Sequence, residues 1–267
     1  MMKLKHEVRK SILKLMGLWG NSSARILPSE RKALMETVGL KKFEQISYSQ
    51  EGEDLLLWRI ISRLQGSAPG RYVDIGCNHP WKFSNTAFFY QRGWRGIAID
   101  PNPLFKNLFR TERPEDFFLN CGVGTQSESS SYFTFANHLY NTFSKANADE
   151  IARTGLSNLV EIKEIPIRTI NDILSEYNSI NPKIDLLSVD CEGMDLEILC
   201  QFDFMANRPT YVIVERDKIS PPFAENDKIH HLLTNKGYQR ISILFKSLIY
   251  IDEEIIHLLL SETEYLK

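Results

Sequence analysis

Short apolar segments with an acidic residue at or next to their C-terminal end alternate with helical segments, and this alternation constrains the fold more than any other feature of the chain. The clearest of these segments are residues 71–75, 95–100, 184–190 and 211–215. Strands that alternate with helices at this interval form βαβ units and a largely parallel sheet. Residues 238–244 and 248–251 are predicted to form a closing hairpin. We therefore expect a Rossmann-like α/β fold: a mostly parallel twisted sheet, helices on both faces and a C-terminal antiparallel hairpin.

The N-terminal part of the chain differs from the rest. Apolar residues recur there at helical spacing, between basic positions: Leu4, Val8, Ile12, Leu15 and Trp19. A basic amphipathic helix can bind an anionic membrane surface; the alternative is packing on its own domain or on a second copy in a homo-oligomer. We predict this helix and a linker over residues 1–42, and a second domain over residues 43–267 with a long insert near residues 124–157.

Composition and charge exclude several classes of protein. Lys and Arg number 32 and Asp and Glu number 34, so the formal net charge is −2, without the basic excess of a nucleic-acid-binding protein. None of the four cysteines has CxxC spacing, which argues against a zinc ribbon and a disulfide scaffold. No apolar run approaches the roughly 18 residues of a membrane span, and the N-terminus does not resemble a signal peptide. We expect a cytoplasmic protein, with membrane association through the N-terminal helix as the alternative.

Acidic residues at the predicted strand ends indicate where a ligand binds. Asp74 lies near the end of the first core strand and Gly76 follows it, Asp100 ends the second strand, and Asp190 ends a later one. In a doubly wound sheet, ligands bind beyond the carboxyl ends of the strands, where the strand order reverses. Asp100 is therefore placed to accept hydrogen bonds from both hydroxyls of a ribose, and Gly76 permits close approach of the ligand to the backbone. The alternative is that Asp74 and Asp100 cap helices in an unrelated α/β domain.

The turn after the first strand lacks the G-x-G-x-x-G pattern of a dinucleotide site. Gly76 is followed by Cys77, Asn78, His79 and Pro80. A bound pyrophosphate needs glycines at the points of close approach and a free helix N-terminus, and these residues provide neither. The turn thus favours a nucleoside without a diphosphate, and S-adenosylmethionine meets that description. A nicotinamide-dependent oxidoreductase is the less favoured alternative.

Six segments resemble, in order and spacing, the FkbM-type S-adenosylmethionine-dependent methyltransferases. They are residues 49–54, 73–78, 98–103, 165–173, 184–195 and 211–215. The resemblance covers about residues 47–251 and implies a class I methyltransferase fold. It also implies O-methylation of a sugar hydroxyl in glycan, polysaccharide or natural-product biosynthesis. The alternative is a non-catalytic binding or assembly protein on the same fold. The chain departs from the family pattern at His79 and Pro80, where a second glycine is usual, and at Asp100, where glutamate is commoner.

Candidate site residues fall into two groups. The expected cofactor-binding residues are Gln50, Asp74, Gly76, Cys77, Asn78, Asp100, Pro101, Asn102 and Asn120. A sugar hydroxyl is a poor nucleophile, so a general base or a metal must remove or polarise its proton. We expect Asp190, Glu192 and Glu215 to do this, with His79 as the alternative base. Asp190 and Glu215 are also candidate ligands for Mg²⁺; the alternative is that they cap a helix or pair with a cation.

The insert is a candidate wall for the acceptor. Residues 141–144, together with Tyr132, Phe133, Phe135 and Tyr140, combine aromatic faces with amides and hydroxyls, which suit a carbohydrate. The same residues also serve ordinary packing. His138 lies in the same segment, where it either covers the site or is solvated.

Overall fold

The computed structural model describes residues 44–64, 66–178, 183–191, 193–216 and 227–256. The predicted N-terminal helix and Glu192 lie outside these residues. The described residues from Ser47 onward belong to one compact unit, distinct from the unit that ends at Ile46. The predicted domain boundary at residue 43 stays a prediction. Within the described ranges, no helix has both the length and the apolar character needed to cross a bilayer.

The described residues form seven α-helices, ten strands and a 3₁₀ turn at His138–Tyr140. The helices are α1 (Glu53–Leu64), α2 (Ala87–Tyr90), α3 (Pro103–Glu112), α4 (Lys145–Thr154), α5 (Ile170–Asn178), α6 (Asp195–Gln201) and α7 (Lys228–Asn235). The strands are β1 (Arg71–Ile75), β2 (Arg95–Ile99), β3 (Phe117–Leu119), β4 (Gly122–Val123), β5 (Glu128–Phe135), β6 (Leu159–Arg168), β7 (Leu186–Val189), β8 (Tyr211–Glu215), β9 (Tyr238–Ile243) and β10 (Ser247–Asp252).

Seven of these strands form the central sheet, in the order β3-β2-β1-β7-β8-β10-β9. β1 runs parallel to both β2 and β7, and β10 runs antiparallel to both β8 and β9. This arrangement confirms the predicted parallel sheet and its closing hairpin. The chain passes from β1 towards β3 on one side and continues with β7 and β8 on the other, so the strand order reverses beside β1. A crevice at such a switch point is the usual ligand site of an open α/β sheet.

Helices cover both faces of the central sheet. In β8, Val212 and Val214 pack with residues of α5, α6 and α7, whereas Tyr211 and Ile213 pack with residues of α1 and α2. Successive side chains of a strand point to opposite faces, so each central strand contributes to two apolar cores. Because both faces are buried, the strands appear in the sequence as continuous apolar runs rather than alternating ones.

The insert contains more regular structure than its sequence indicates. β5 pairs antiparallel with β6, and β4 joins them in a separate three-stranded sheet. α4 follows, with the Ser144 hydroxyl accepting a hydrogen bond from the Asn147 N–H at its start and Gly155, at φ 68°, at its end. The sequence predicts a strand at residues 132–135 and a polar stretch around residues 137–147. The structure extends the strand back to Glu128 through the serine cluster, and the polar stretch contains the 3₁₀ turn and the start of α4.

The sequence pattern of residues 84–92, which ends at Gly93, predicts a helix, but the structure contains only the single turn of α2 there. The Ser84 hydroxyl accepts hydrogen bonds from the N–H groups of Thr86 and Ala87, which places the start of the helix at Ala87. At the other end, Gly93 has a φ of 86° and ends the turn. Residues 77–86 are consequently an irregular segment beside the carboxyl end of β1.

Candidate functional site

A cavity of about 480 Å³ opens at the carboxyl ends of β1, β2 and β7. It therefore lies at the switch point of the sheet, where ligands of such folds bind. One part of its lining comes from the strand ends: Ile75, Gly76, Asn78, Asp100, Pro101, Asn102, Cys121, Asp190 and Cys191. The other part comes from the insert: Tyr132, His138, Leu139, Asn141, Thr142, Phe143, Ser144 and Asn147.

Gly76 is required by the close approach of two strand ends. Its φ is 75°, and a Cβ atom placed on it would lie 1.8 Å from the backbone oxygen of Asp190. Its N–H donates to the Ile99 carbonyl over 2.9 Å, so the turn is also bonded to β2. Only a residue without a side chain fits here, so Gly76 allows the ends of β1 and β7 to approach each other beside the cavity.

Asp100 is the buried acid of the cavity, with 7% of its surface exposed. Its Oδ1 accepts from the Asn102 N–H over 2.8 Å, and its Oδ2 accepts from the Asn78 N–H over 2.9 Å. Burial raises the pKa of this carboxyl to about 7, although both backbone hydrogen bonds oppose the shift. Each carboxylate oxygen has a second lone-pair direction, so the group can still accept two hydroxyls of a ribose.

Asn78 presents an unsatisfied acceptor at the cavity. Its φ is 52°, in the left-handed region that asparagine tolerates better than most residues. Its Oδ1 is buried and has no hydrogen-bond partner within the described residues. A buried unpaired acceptor costs roughly 1–3 kcal/mol, and a ligand with an N–H or ammonium group would satisfy it. Together with Asp100 and Gly76, this acceptor fits the hydroxyl and ammonium donors of S-adenosylmethionine.

Gln50 reaches the cavity from the segment before α1. The Asp54 carboxylate accepts hydrogen bonds from the Ser47 hydroxyl over 2.6 Å and from the Tyr48 N–H over 2.7 Å, which folds this segment into a tight turn. Acidic side chains at a helix N-terminus are also favoured by the helix dipole. The turn thus places Gln50 in the lining of the cavity, as predicted for a cofactor-binding residue.

Three of the predicted cofactor residues do not line the cavity. Asp74 is buried and accepts a hydrogen bond from the Thr86 hydroxyl, Cys77 is buried against α3, and the Asn120 amide donates to the backbone oxygen of Asp100. Burial raises the pKa of the Asp74 carboxyl, and the Thr86 hydrogen bond opposes the shift. The structure thus gives these residues supporting positions behind the lining. Asn102 lines the cavity, but its Oδ1 already caps α3 at the Leu104 N–H.

His79 is not placed as a free general base. Its Nδ1 accepts hydrogen bonds from the backbone N–H groups of Trp81 and Lys82, at 3.1 and 3.2 Å. In the neutral ring the proton is then on Nε2, so neither nitrogen is available to accept a proton from a substrate. Burial lowers the pKa of the ring, with a further contribution from His138. The predicted base role of His79 therefore lacks geometric support; the ring holds the turn after β1.

The acids at the ends of β7 and β8 are neighbours. Val189 pairs with Val214 in the parallel register, so the next positions, Asp190 and Glu215, are adjacent. Both contribute with Asp195 and Asp100 to the negative surroundings of the Cys191 thiol, whose pKa burial and these charges raise well above its usual value. Asp190 lines the cavity, whereas Glu215 does not. Within the described ranges, no group of three or more His, Cys, Asp or Glu side chains could hold a metal ion, so the predicted Mg²⁺ site gains no support.

The insert forms only part of the predicted wall: Tyr132 and residues 141–144 line the cavity, whereas Phe133, Phe135 and Tyr140 pack with α4 in a separate apolar cluster. The rings of Tyr132 and Phe143 lie 4.7 Å apart, and the Asn141 Oδ1 accepts from the Phe135 N–H over 2.8 Å. Backbone hydrogen bonds between Phe133 and Thr142 attach residues 141–144 to β5. His138 packs edge-on against Phe105 of α3 and lines the cavity, so it belongs to the site rather than to solvent.

The most extensive polar network near the site was missed by sequence analysis. Arg113 is fully buried at the end of α3, and it connects Asp116 and Tyr72 with the segment before α2. In the sequence it lies in an unremarkable polar segment after a helix, and no local pattern marks it. Phe83 and Met194 are further lining residues without a signal of their own.

Taken together, the sheet order, the glycine turn, the buried acid at the end of β2 and the unpaired amide define an S-adenosylmethionine-dependent methyltransferase. Comparison with family models matches residues 74–240 to the methyltransferase FkbM domain, and the chain belongs to that family. The predicted family and the predicted class I methyltransferase fold are thus confirmed, and the nicotinamide-dependent alternative is set aside. No curated protein matches the chain.

Several solved structures resemble the chain at low identity. A TehB-like SAM-dependent methyltransferase from Corynebacterium glutamicum is 10% identical, with a TM-score of 0.38 over 85% of this chain and 100% of its own. The 1,6-didemethyltoxoflavin-N1-methyltransferase of Burkholderia thailandensis is 12% identical, with a TM-score of 0.38 over 86% and 91%. The magnesium protoporphyrin IX methyltransferase of Synechocystis PCC 6803 is 10% identical, with a TM-score of 0.33 over 86% and 99%.

Proposed function

We propose that the protein transfers a methyl group from S-adenosylmethionine to a hydroxyl oxygen of a sugar, in glycan, polysaccharide or natural-product biosynthesis. The observation that carries the proposal is the composition of the cavity: a carboxylate, Asp190, shares it with an aromatic and amide-rich wall from the insert. Cofactor binding and acceptor binding are thereby assigned to different parts of one cavity. The family resemblance supports the same substrate class.

The strand-end part of the cavity suits the cofactor. Asp100 accepts the ribose hydroxyls, and Asn78 accepts a donor from the amino-acid end with its unpaired Oδ1. When bound, the sulfonium supplies an electrophilic methyl carbon and leaves as a neutral thioether. Gly76 keeps the backbone close enough to exclude water beneath the ligand. Fixing both reactants in one geometry supplies much of the rate in such a displacement.

Asp190 is the best-placed base in the described part of the site. As the acceptor oxygen forms its bond to the methyl carbon and the carbon–sulfur bond breaks, the hydroxyl proton passes to the Asp190 carboxylate. A positioned carboxylate typically contributes 10²–10⁴-fold to such a step. Glu215 is adjacent to Asp190 in the sheet register, and its role as a second acid on the acceptor remains part of the proposal, as does that of Glu192.

The insert wall suits a carbohydrate acceptor. The Tyr132 and Phe143 rings offer apolar faces, and Asn147 carries an exposed amide in the cavity lining. Sugars combine apolar C–H faces with hydroxyl groups, and such a wall matches both. Asn141, Thr142 and Ser144 bond mainly to backbone groups of the insert itself, so they shape the wall more than they bind the sugar.

A methyl-transfer screen tests the proposal. The full chain is incubated with S-adenosylmethionine carrying a labelled methyl group and with free, nucleotide-linked and lipid-linked sugars. Label in a sugar product, with the methyl carbon on oxygen by NMR, is the expected result. A product with the labelled methyl group on nitrogen or carbon would contradict the proposed transfer to a hydroxyl oxygen. Binding of S-adenosylhomocysteine without turnover on any sugar favours the non-catalytic binding or assembly protein.

A further inference from the structure

Arg113 uses all of its hydrogen-bond donors inside the protein. Its Nε–H donates to Asp116 Oδ2 over 2.7 Å, and Nη2 donates to the Tyr72 hydroxyl over 3.0 Å. The Tyr72 hydroxyl in turn donates to both oxygens of Asp116, at 2.7 and 2.8 Å. None of the Arg113 side chain is exposed to solvent. This side of the guanidinium is fixed by β1 and by the segment that leads into β3.

The other donors of Arg113 hold the irregular segment beside β1. Nη1 donates to the Pro80 carbonyl over 3.1 Å and to the Ser84 hydroxyl over 3.2 Å, and Nη2 also donates to the Thr86 hydroxyl over 2.9 Å. The Thr86 hydroxyl in turn donates a hydrogen bond to Asp74 Oδ2 over 2.5 Å. A guanidinium has five N–H donors in a fixed planar fork, and each of the five has a partner here.

The segment held in this way carries backbone strain at the cavity. Asn78 and Phe83 both have positive φ values, 52° and 58°, and both line the cavity. The left-handed region costs a residue with a side chain roughly 1–2 kcal/mol. Asparagine tolerates this conformation better than phenylalanine does. Such conformations persist only where the surroundings fix them, and Arg113 bonds to the chain between these two residues.

We propose that Arg113 is a positioning residue for cofactor binding. It does not line the cavity and touches no reacting atom. It fixes residues 78–86 in the strained conformation that brings Asn78 and Phe83 into the lining of the cavity. This role goes beyond the O-methylation proposed above and does not depend on the nature of the acceptor.

The planar fork, rather than the positive charge, carries this role. A lysine keeps the charge and reaches Asp116, but its single ammonium cannot span Asp116, Pro80 and Thr86 together. A buried ion pair by itself is weak evidence for stability. The Arg113→Lys variant therefore separates the charge from the geometry.

Arg208 offers a matched control. It donates to both Asp252 oxygens, at 2.7 and 2.9 Å, and to two backbone carbonyls at residues 236 and 237. It thus makes the same kind of arginine–aspartate contact, with additional carbonyl partners, but its hydrogen bonds go to residues 236, 237 and 252 rather than to the segment 78–86. Thr86→Val is a second variant that cuts the link from Arg113 to Asp74 and leaves the ion pair intact, with Thr86→Ser as its hydroxyl-retaining partner.

The experiment measures S-adenosylhomocysteine affinity by calorimetry on the full chain, together with hydrogen exchange of residues 78–86 and the melting temperature. We expect Arg113→Lys and Thr86→Val to weaken binding about tenfold or more and to raise exchange in this segment. Arg208→Lys and Thr86→Ser should stay within about twofold, even if Arg208→Lys lowers the melting temperature as much as Arg113→Lys.

Three outcomes overturn the proposal. One is wild-type affinity in Arg113→Lys and Thr86→Val, and another is an equal loss in Arg208→Lys, which would mean that affinity follows stability alone. The third is failure of the wild type to bind S-adenosylhomocysteine. Absence of sugar methylation, by contrast, contradicts the proposed function and leaves this test intact, because the titration needs no acceptor.

Discussion

The backbone N–H of Asn78 donates to Oδ2 of Asp100 over 2.9 Å. This hydrogen bond joins the turn after β1 to the acid after β2, so the two segments that we propose hold opposite ends of the cofactor are bonded to each other. The same carboxylate also orients the start of α3 through the Asn102 N–H. A single buried group therefore organises this part of the cavity, in addition to its proposed contact with the ribose.

Replacing Asp100 by Ala should weaken S-adenosylhomocysteine binding by about 100-fold or more. Two hydrogen bonds to a charged group are lost, each worth about 1.5–3 kcal/mol, and the Asn78 turn loses its acceptor. Calorimetry measures the effect. Asp252→Ala is the control, because it also removes a buried carboxylate that accepts a backbone N–H, but far from the cavity. Comparable affinity losses in both variants would contradict the ribose assignment.

The affinity for S-adenosylhomocysteine should depend on pH through Asp100. Burial raises the pKa of this carboxyl to about 7, so the free protein holds a proton there at lower pH. Ribose hydroxyls donate to the ionised form, so binding releases that proton below pH 7. Affinity should therefore fall about tenfold per pH unit below 7 and level off above it.

Calorimetry in buffers of different ionisation enthalpy measures the released proton directly. Asp100→Asn has no titrating group at this position, and its weaker affinity should be nearly constant between pH 5.5 and 8. A flat wild-type profile, or one that Asp100→Asn leaves unchanged, would assign the proton to another group.

Gly76→Ala should destabilise the protein strongly and abolish cofactor binding. Its Cβ would lie 1.8 Å from the Asp190 backbone oxygen, which forces the ends of β1 and β7 apart. Gly155→Ala is the matched control: Gly155 has a similar φ of 68° with no atom within 4 Å of its Cβ position. It should lose only the roughly 1–2 kcal/mol of left-handed strain. Thermal melts and calorimetry compare the two, and equal losses would show that conformation, not close approach, requires Gly76.

The sequence allowed the sheet and the strand-end residues to be predicted, because each depends on a local pattern. Buried strands appear as apolar runs, and Gly76, Asp100 and Asp190 directly follow such runs. The Arg113 network could not be predicted in this way. Its partners Tyr72 and Thr86 lie 41 and 27 residues away, and polar contacts at such separations leave no periodicity in the sequence.

The second sheet can be predicted only in part. The apolar residues at 132–135 and 160–167 indicate two of its strands, but β4 is only two residues long and β5 begins with a polar run, so neither β4 nor the start of β5 carries the apolar signal of a buried strand. His79 is a candidate base by its residue type, but the sequence does not show that its Nδ1 accepts hydrogen bonds from two backbone N–H groups. Residue type indicates which chemistry a side chain can perform, but its hydrogen-bond partners decide whether the reactive atom is available for that chemistry.

Asp190 and His79 can be distinguished as bases by their substitutions. With the sugar that the wild type methylates, Asp190→Asn should lower kcat by about 100-fold or more and leave S-adenosylhomocysteine affinity within about threefold, because the amide is nearly isosteric. For His79→Asn, by contrast, kcat should change little, because the asparagine side-chain oxygen can still accept hydrogen bonds from the backbone N–H groups of the turn. Steady-state kinetics and calorimetry on both variants give the comparison. A large kcat loss in His79→Asn with unchanged affinity would return the base role to the histidine, since a turn-holding ring has no means of affecting the chemical step alone.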